Sequence, residues 1–436
     1  MKTLLVALAL LTPAAGGQGE ADLAASVQGV NPARIEHDIR TLAGFGTRHT
    51  LSETENEERG IGAARRWLAS ELEAISAQFA GGRISVALVP HDVPAGRRVP
   101  DGARIVNVVA TLPGTDPDRL VVLSGHYDSR ASDPMDAVSD APGANDDASG
   151  TAAVLEAARV LGSLHPRATL VFLCVAGEEQ GLLGAAAQAA QWKSEGKTIE
   201  AMFTLDIVGG ATGSSGEREP NRVRVFSEGI PSAGAKVVGS DNDAPSRQLA
   251  RYTKRAASSF LPDFELTLVF RRDRYLRGGD HIPFLDEGWP AVRLTEPHEN
   301  YDWQHQDVRV EDGKPYGDVP GNVDFAYVGR VTGSVCAAAG ELALAPRAPR
   351  GVLVDVTELT PHTRLLWDTN PEPDLAGYAV LVRRTHEPDW TRRIEVGRTT
   401  ETLLEGLSKD DWLFAVEAVD RAGHRSLPVY PAPKYR

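Results

Sequence analysis

The segment Ala168–Val175 constrains this chain more than any other, because it reads Ala-Thr-Leu-Val-Phe-Leu-Cys-Val with no apolar/polar alternation. A strand with one wet face alternates; a run like this predicts a strand buried on both faces of a sheet. Its surroundings agree. Apolar residues at three- and four-residue spacing predict helices over 32–45, 54–79, 149–161, 182–192, 246–257 and 325–344. Strand-like runs lie at 83–89, 105–111, 120–123, 199–205, 266–270 and 291–294. Strands alternating with helices imply an α/β fold, a mostly parallel mixed sheet flanked by helices on both faces. Ligands of such sheets bind beyond the carboxyl ends of the strands. Chemistry is therefore expected where these runs end.

Four segments concentrate His, Asp and Glu at such ends. Gly125-His126-Tyr127-Asp128 follows the strand at 120–123, and residues two apart on an extended chain share a face. His126 can thus bind a ligand while Asp128 orients its second ring nitrogen. Gly143-Ala144-Asn145-Asp146-Asp147-Ala148-Ser149 enters a helix. Asp147 and Ser149 suit a helix cap, but adjacent carboxylates repel and a buried one needs a cation. Gly177-Glu178-Glu179 comes straight off the doubly buried strand, so one carboxylate can hold a metal while the other reaches an activated water. Asp206 closes the apolar run Phe203-Thr204-Leu205. Far downstream, Asn300-Tyr301-Asp302-Trp303-Gln304-His305 offers a loop histidine whose assignment depends on the other four.

Taken together, Asp146 can bridge two ions, with nitrogen and oxygen ligands distributed around them and positions left open for water and substrate. Mixed ligands of this kind favour zinc.

The order of these motifs resembles the zinc peptidase family that contains bacterial leucyl aminopeptidases, glutamate carboxypeptidase II and the glutaminyl cyclases. The resemblance spans roughly residues 100–345. It implies two Zn²⁺ per chain, His126 and Asp206 on one, Glu179 and His305 on the other, and Asp146 between them. It makes Glu178 the general base, Asp128 the partner that orients His126, and puts a cis peptide between Asp146 and Asp147. Gly279-Asp280-His281-Ile282-Pro283-Phe284 resembles the family's segment beside the substrate pocket, so Asp280 and His281 are candidates to face substrate or support the ligands. Arg277, just upstream, is a candidate to stabilise a tetrahedral oxyanion. The family commonly has a threonine after the last ligand histidine, whereas Gln306 and Asp307 follow His305 here. His298 therefore stands as a rival ligand.

The reading that follows is a secreted metallo-aminopeptidase acting on peptides. A single-zinc glutaminyl cyclase or a carboxypeptidase of the same fold are the alternatives, and a non-catalytic binding protein is a third. A net charge of −14 argues against a nucleic-acid partner. Lys2, the apolar run at 4–11 and the small residues Ala14, Ala15, Gly16 and Gly17 read as a signal peptide over 1–20, which implies a secreted or periplasmic location. No later stretch reads as a membrane helix. Cys174 and Cys336, each in an apolar setting, suit buried packing rather than a disulfide framework.

The catalytic domain is expected over 30–345. Pro346, Pro349 and Gly351 mark a linker, and 347–436 alternates short strands with turns, an all-β sandwich. Trp367 and Tyr378 there resemble core residues of a fibronectin type III domain. Such a module is expected to contact a surface, a polymer or the catalytic domain.

Overall fold

The computed structural model describes residues 18–228 and 243–435. Most of the expected signal peptide lies outside them. The central sheet has eight strands: β1 (Ser85–Val93), β2 (Ala103–Leu112), β3 (Asp116–His126), β4 (Ala168–Val175), β5 (Thr198–Leu205), β6 (Arg222–Phe226), β7 (Glu265–Val269) and β8 (Ala291–Thr295). Their order is β1-β2-β4-β3-β5-β8-β6-β7. The middle of the sheet, β4-β3-β5-β8, is wholly parallel; β1 is antiparallel to β2, β2 to β4 and β6 to β8, while β6 and β7 are parallel to each other.

Period-two alternation splits β4 between two cores. Leu170, Phe172 and Cys174 enter the larger one, and Val171, Leu173 and Val175 the smaller. The larger core is covered by α1 (Gln18–Gln28), α2 (Pro32–Gly44), α3 (Gly60–Phe79), α4 (Ala148–Leu161), α6 (Pro245–Phe260) and α8 (Phe325–Leu344). The smaller lies under α5 (Leu183–Ser194) and α7 (His281–Asp286). Cys174 and Cys336 are buried free thiols. Among the described residues, no helix is long and apolar enough to cross a membrane.

Among the boundaries that differ from the sequence expectation, the start of α3 moves furthest. The helix expected from residue 54 starts at Gly60, because the Asn56 side chain accepts from the amides of Glu58 and Arg59 and closes a turn instead. Gly60 itself sits at φ +87°, and a Cβ there would lie 2.5 Å from the Glu53 carbonyl oxygen.

After α8, and beyond a small hairpin of β9 (Arg309–Glu311) and β10 (Lys314–Tyr316) that precedes it, the chain forms two further sheets. One contains β11 (Leu353–Asp355), β12 (Thr363–Leu366), β15 (Glu401–Leu404) and β17 (Ala432–Lys434); the other contains β13 (Leu375–Arg384), β14 (Arg392–Gly397) and β16 (Trp412–Asp420). Trp367, Tyr378, Val380, Phe414 and Val416 share their core. These sheets pack on α6. Tyr252 donates to the Arg425 carbonyl at 2.7 Å, and Trp390 to Gln248 Oε1 at 3.1 Å.

Candidate metal centre

The carboxyl edge of the parallel strands gathers the acidic motifs. His126 ends β3, Glu178 and Glu179 follow β4, Asp206 follows β5, and Asp146 precedes α4. His305 reaches the same place from the long segment after β8, with φ +54°. Two sets of ligand atoms converge: His126, Asp146 and Asp206 form one, and Asp146, Glu179 and His305 the other, all atoms of a set lying within 4.8 Å of one another. Asp146 belongs to both. Its Oδ1 is 3.2 Å from His126 Nε2 and its Oδ2 is 2.9 Å from His305 Nε2.

These residues fit metal ions. His126 Nε2 is buried with no hydrogen-bond partner, although carboxylates of Asp146 and Asp206 face it. Its other nitrogen, Nδ1, lies 3.1 Å from the Asp128 backbone oxygen, which fixes the ring and leaves Nε2 aimed into the centre. His305 Nε2 also lies 2.9 Å from Glu179 Oε1. Burial disfavours a charged His305, but Glu179 and Asp146 outweigh it and raise the ring to about 9. A cation is wanted between those carboxylates.

The Asp128 side chain lies 3.5 Å from His126 Nδ1 through Oδ1 and also reaches the opposite loop. Its carboxylate accepts from the amides of Glu178 and Glu179, each at 3.2 Å, and from the Thr50 hydroxyl at 2.8 Å. It thereby sets the turn that carries both glutamates. Asp147 caps α4 through the Gly150 amide at 2.9 Å and also accepts from the His126 amide at 3.0 Å. The Asp146–Asp147 peptide is cis.

Glu178 is half-buried and lines a cleft of 440 Å³, within the range of ~300–1,000 Å³ usual for small-ligand sites. Loss of solvent pushes its carboxyl well up, and Asp206, Glu179 and Asp280 add to the effect against the opposing pull of His126. Arg277 lines the same cleft and donates to Gln304 Oε1 at 3.3 Å.

Asp280 and His281 stand apart from the other candidates. Both are fully buried behind the cleft and neither lines it, so a substrate-facing position is not where they lie. Neither oxygen of Asp280 has a hydrogen-bond partner among the described residues, and burial raises its carboxyl to about 7. His281 contacts the Arg272 carbonyl oxygen at 2.8 Å, and burial lowers it to about 4, so it is neutral at pH 7. The rival His298 pairs with Glu219 at 3.4 Å and belongs to neither set of ligand atoms.

Other residues shape the centre without having been singled out. Arg293, on β8, pairs with Asp206 at 3.0 Å. Asp318 accepts from the Asp146 amide at 2.7 Å, and Gln304 donates to Asp146 Oδ2 at 2.9 Å. The buried Arg48 donates to the carbonyls of Tyr127, Leu42, Pro142 and Gly143, stitching the first two motifs together. An arginine inside the apolar strand Ala-Val-Arg-Leu-Thr is a readable signal, since buried charge demands a partner. Gln304 adjoins His305. Asp318 carries no local signal at all.

Known proteins similar to this chain include probable zinc metalloproteases. A probable zinc metalloprotease of Leptosphaeria maculans is 44% identical over 425 residues, covering 95% of this chain and 97% of that protein. The Legionella pneumophila LapA aminopeptidase shares the fold, with a TM-score of 0.54 at 18% identity over 77% of this chain and 78% of its own. A Bacteroides thetaiotaomicron glutaminyl cyclase does so with a TM-score of 0.50 at 18% identity, over 71% of this chain and 98% of its own. The model of peptidase family M28 matches residues 107–309, the stretch that holds every residue of both ligand sets, and with the relative that matches along nearly its whole length it establishes that this chain belongs to peptidase family M28.

Proposed function

We propose that this chain is an exported zinc aminopeptidase with two zinc ions per chain. His126 and Asp206 would hold one, Glu179 and His305 the other, and Asp146 both. The observation that carries this reading is the Asp146 carboxylate, which turns one oxygen to His126 and the other to His305. Zinc in such a site acidifies water and polarises the substrate carbonyl.

The protein's own residues supply the rest. His126 is held by the Asp128 backbone, so its free nitrogen needs no reorganisation on binding. Glu178, beside the ligand Glu179 and fixed through its amide to Asp128, faces the cleft with a carboxyl that accepts protons readily. It takes the proton of the attacking water and returns it to the leaving amine.

Fold alone does not separate a peptidase from a cyclase, since both kinds of neighbour share it. Two complete ligand sets, rather than one, favour the peptidase. The leader at 1–20 supports export. The sandwich after residue 346 is proposed as a fibronectin type III-like module on the strength of Trp367 and Tyr378.

The test is release of free amino acids from aminoacyl anilides and short peptides, abolished by chelation and restored by zinc. The Glu178→Gln variant is expected to retain metal and lose ~10²–10⁴-fold in kcat, the usual contribution of a general base. Unchanged hydrolysis by that variant, or pyroglutamate formation in place of amino-acid release, contradicts the proposal.

A further inference from the structure

Five arginines line the cleft: Arg98, Arg130, Arg274, Arg277 and Arg293. They fall into two classes. Arg293 is committed to Asp206 at 3.0 Å and Asp273 at 3.2 Å, and Arg274 to Asp273 at 3.1 Å and Glu299 at 2.6 Å. Those two are structural counter-ions.

The other three have only neutral partners. Arg98 donates to the backbone oxygen of Glu179. Arg130 donates to the carbonyls of Ala131 at 3.2 Å and Ser132 at 3.1 Å, and Arg277 to the Gln304 side-chain oxygen. Among the described residues, no carboxylate pairs with any of the three. Guanidinium groups of this kind, collected on the wall of a cleft whose carboxylates are those of the metal-holding set and Glu178, attract an anionic group at short range.

They are also anchored around the metal centre. Arg98 is tied to a ligand residue, Glu179. Arg277 is tied to Gln304, whose amide holds Asp146. Arg130 lies two residues beyond Asp128. Carbonyl and amide anchors use some N–H donors and leave the planar fork with others, which matches a carboxylate in two-pronged fashion.

Resting on the peptidase reading above, we infer that the cleft selects peptides bearing a carboxylate close to the bond that is cut, held by Arg98, Arg130 and Arg277. That carboxylate comes either from the C-terminus of a short peptide or from an acidic side chain. The three arginines determine specificity and take no part in proton transfer.

Matched pairs of peptides test this on the zinc-loaded full chain. Leucyl-alanine against leucyl-alaninamide reads the C-terminal source; leucyl-glutamic acid α-amide against leucyl-glutamine α-amide reads the side-chain source. A charge-assisted hydrogen bond is worth enough for a preference of about 10-fold or more in kcat/KM for the charged member of at least one pair. Added salt is expected to shrink that preference, because Arg277 is exposed. In Arg98→Gln and Arg277→Gln the ratio should fall toward one.

Hydrolysis of the neutral members reports on the peptidase reading by itself. Binding of the same pairs to Glu178→Gln, measured by calorimetry, reports the selection without turnover. Equal kcat/KM and equal Kd within both pairs, or ratios unmoved by the arginine substitutions, overturn the inference.

Discussion

Two regions of this molecule bury carboxylates, and they neutralise them in opposite ways. Where α6 meets the C-terminal sheets, arginines outnumber the acids. Asp243 pairs with Arg251 at 2.7 Å and Arg383 at 2.6 Å, and Glu417 with Arg255 at 2.9 Å and Arg393 at 2.7 Å. At the carboxyl edge of the central sheet the balance reverses. Asp146, Asp206, Glu178 and Glu179 meet two histidines, among the described residues only Arg293 of the cleft's arginines pairs with any of these four carboxylates, and His126 Nε2 is left unbonded. A buried charge is tolerated only when it is paired or binds metal. The interface closes its own account with side chains, while the sheet edge is built to be completed from outside.

The contrast is sharpest under substitution. Asp243→Ala would strand two arginines that are each 4% exposed, and removing one partner of a buried pair typically costs ~3–5 kcal/mol. Chemical denaturation should show that loss with zinc present or absent. A loss under ~1 kcal/mol would mean that water reaches the interface and that the two regions are less different than their geometry implies.

At the sheet edge the expected effect is smaller and of opposite sign. The Glu178 carboxyl is raised in the folded chain, chiefly by loss of solvent and then by its acidic neighbours, so its ionised form is disfavoured there. Stability associated with it is complete below the unfolded value of ~4.3 and is lost progressively as pH rises toward the folded value. In chelated protein, Glu178→Gln should therefore raise Tm at pH 8, by roughly 1–2 °C for about 1 kcal/mol, and leave it unchanged near pH 4. An equal shift at both pH values, or a fall at pH 8, contradicts the electrostatic account.

The same contrast explains what was legible in the sequence. Strand-end acids announce themselves because β4 and β5 are apolar up to the residue where chemistry begins. Glu178, Glu179 and Asp206 could be located on that basis, His126 by the end of β3, and Asp146 by its neighbour Asp147. Longer-range partners could not. Asp318 holds the Asp146 amide across 172 residues and Thr50 reaches Asp128 across 78, separations at which periodicity carries no information. Asp280 and His281 illustrate a different limit, since their motif indicated proximity to the pocket but not that both would lie behind its wall. In the fold, α1, β6 and α7 were not legible. Arg222–Phe226 alternates arginine with apolar residues over too few positions, and His281–Asp286 is barely longer than a turn.

The claim that two metals share Asp146 is tested most directly by elemental analysis of the purified full-length chain, alongside Asp146→Ala. The account predicts two zinc ions per chain in the parent protein and loss of both in the variant, with Asp243→Ala retaining two if it folds. One zinc per chain in the parent, or a variant that keeps its full complement, would contradict it.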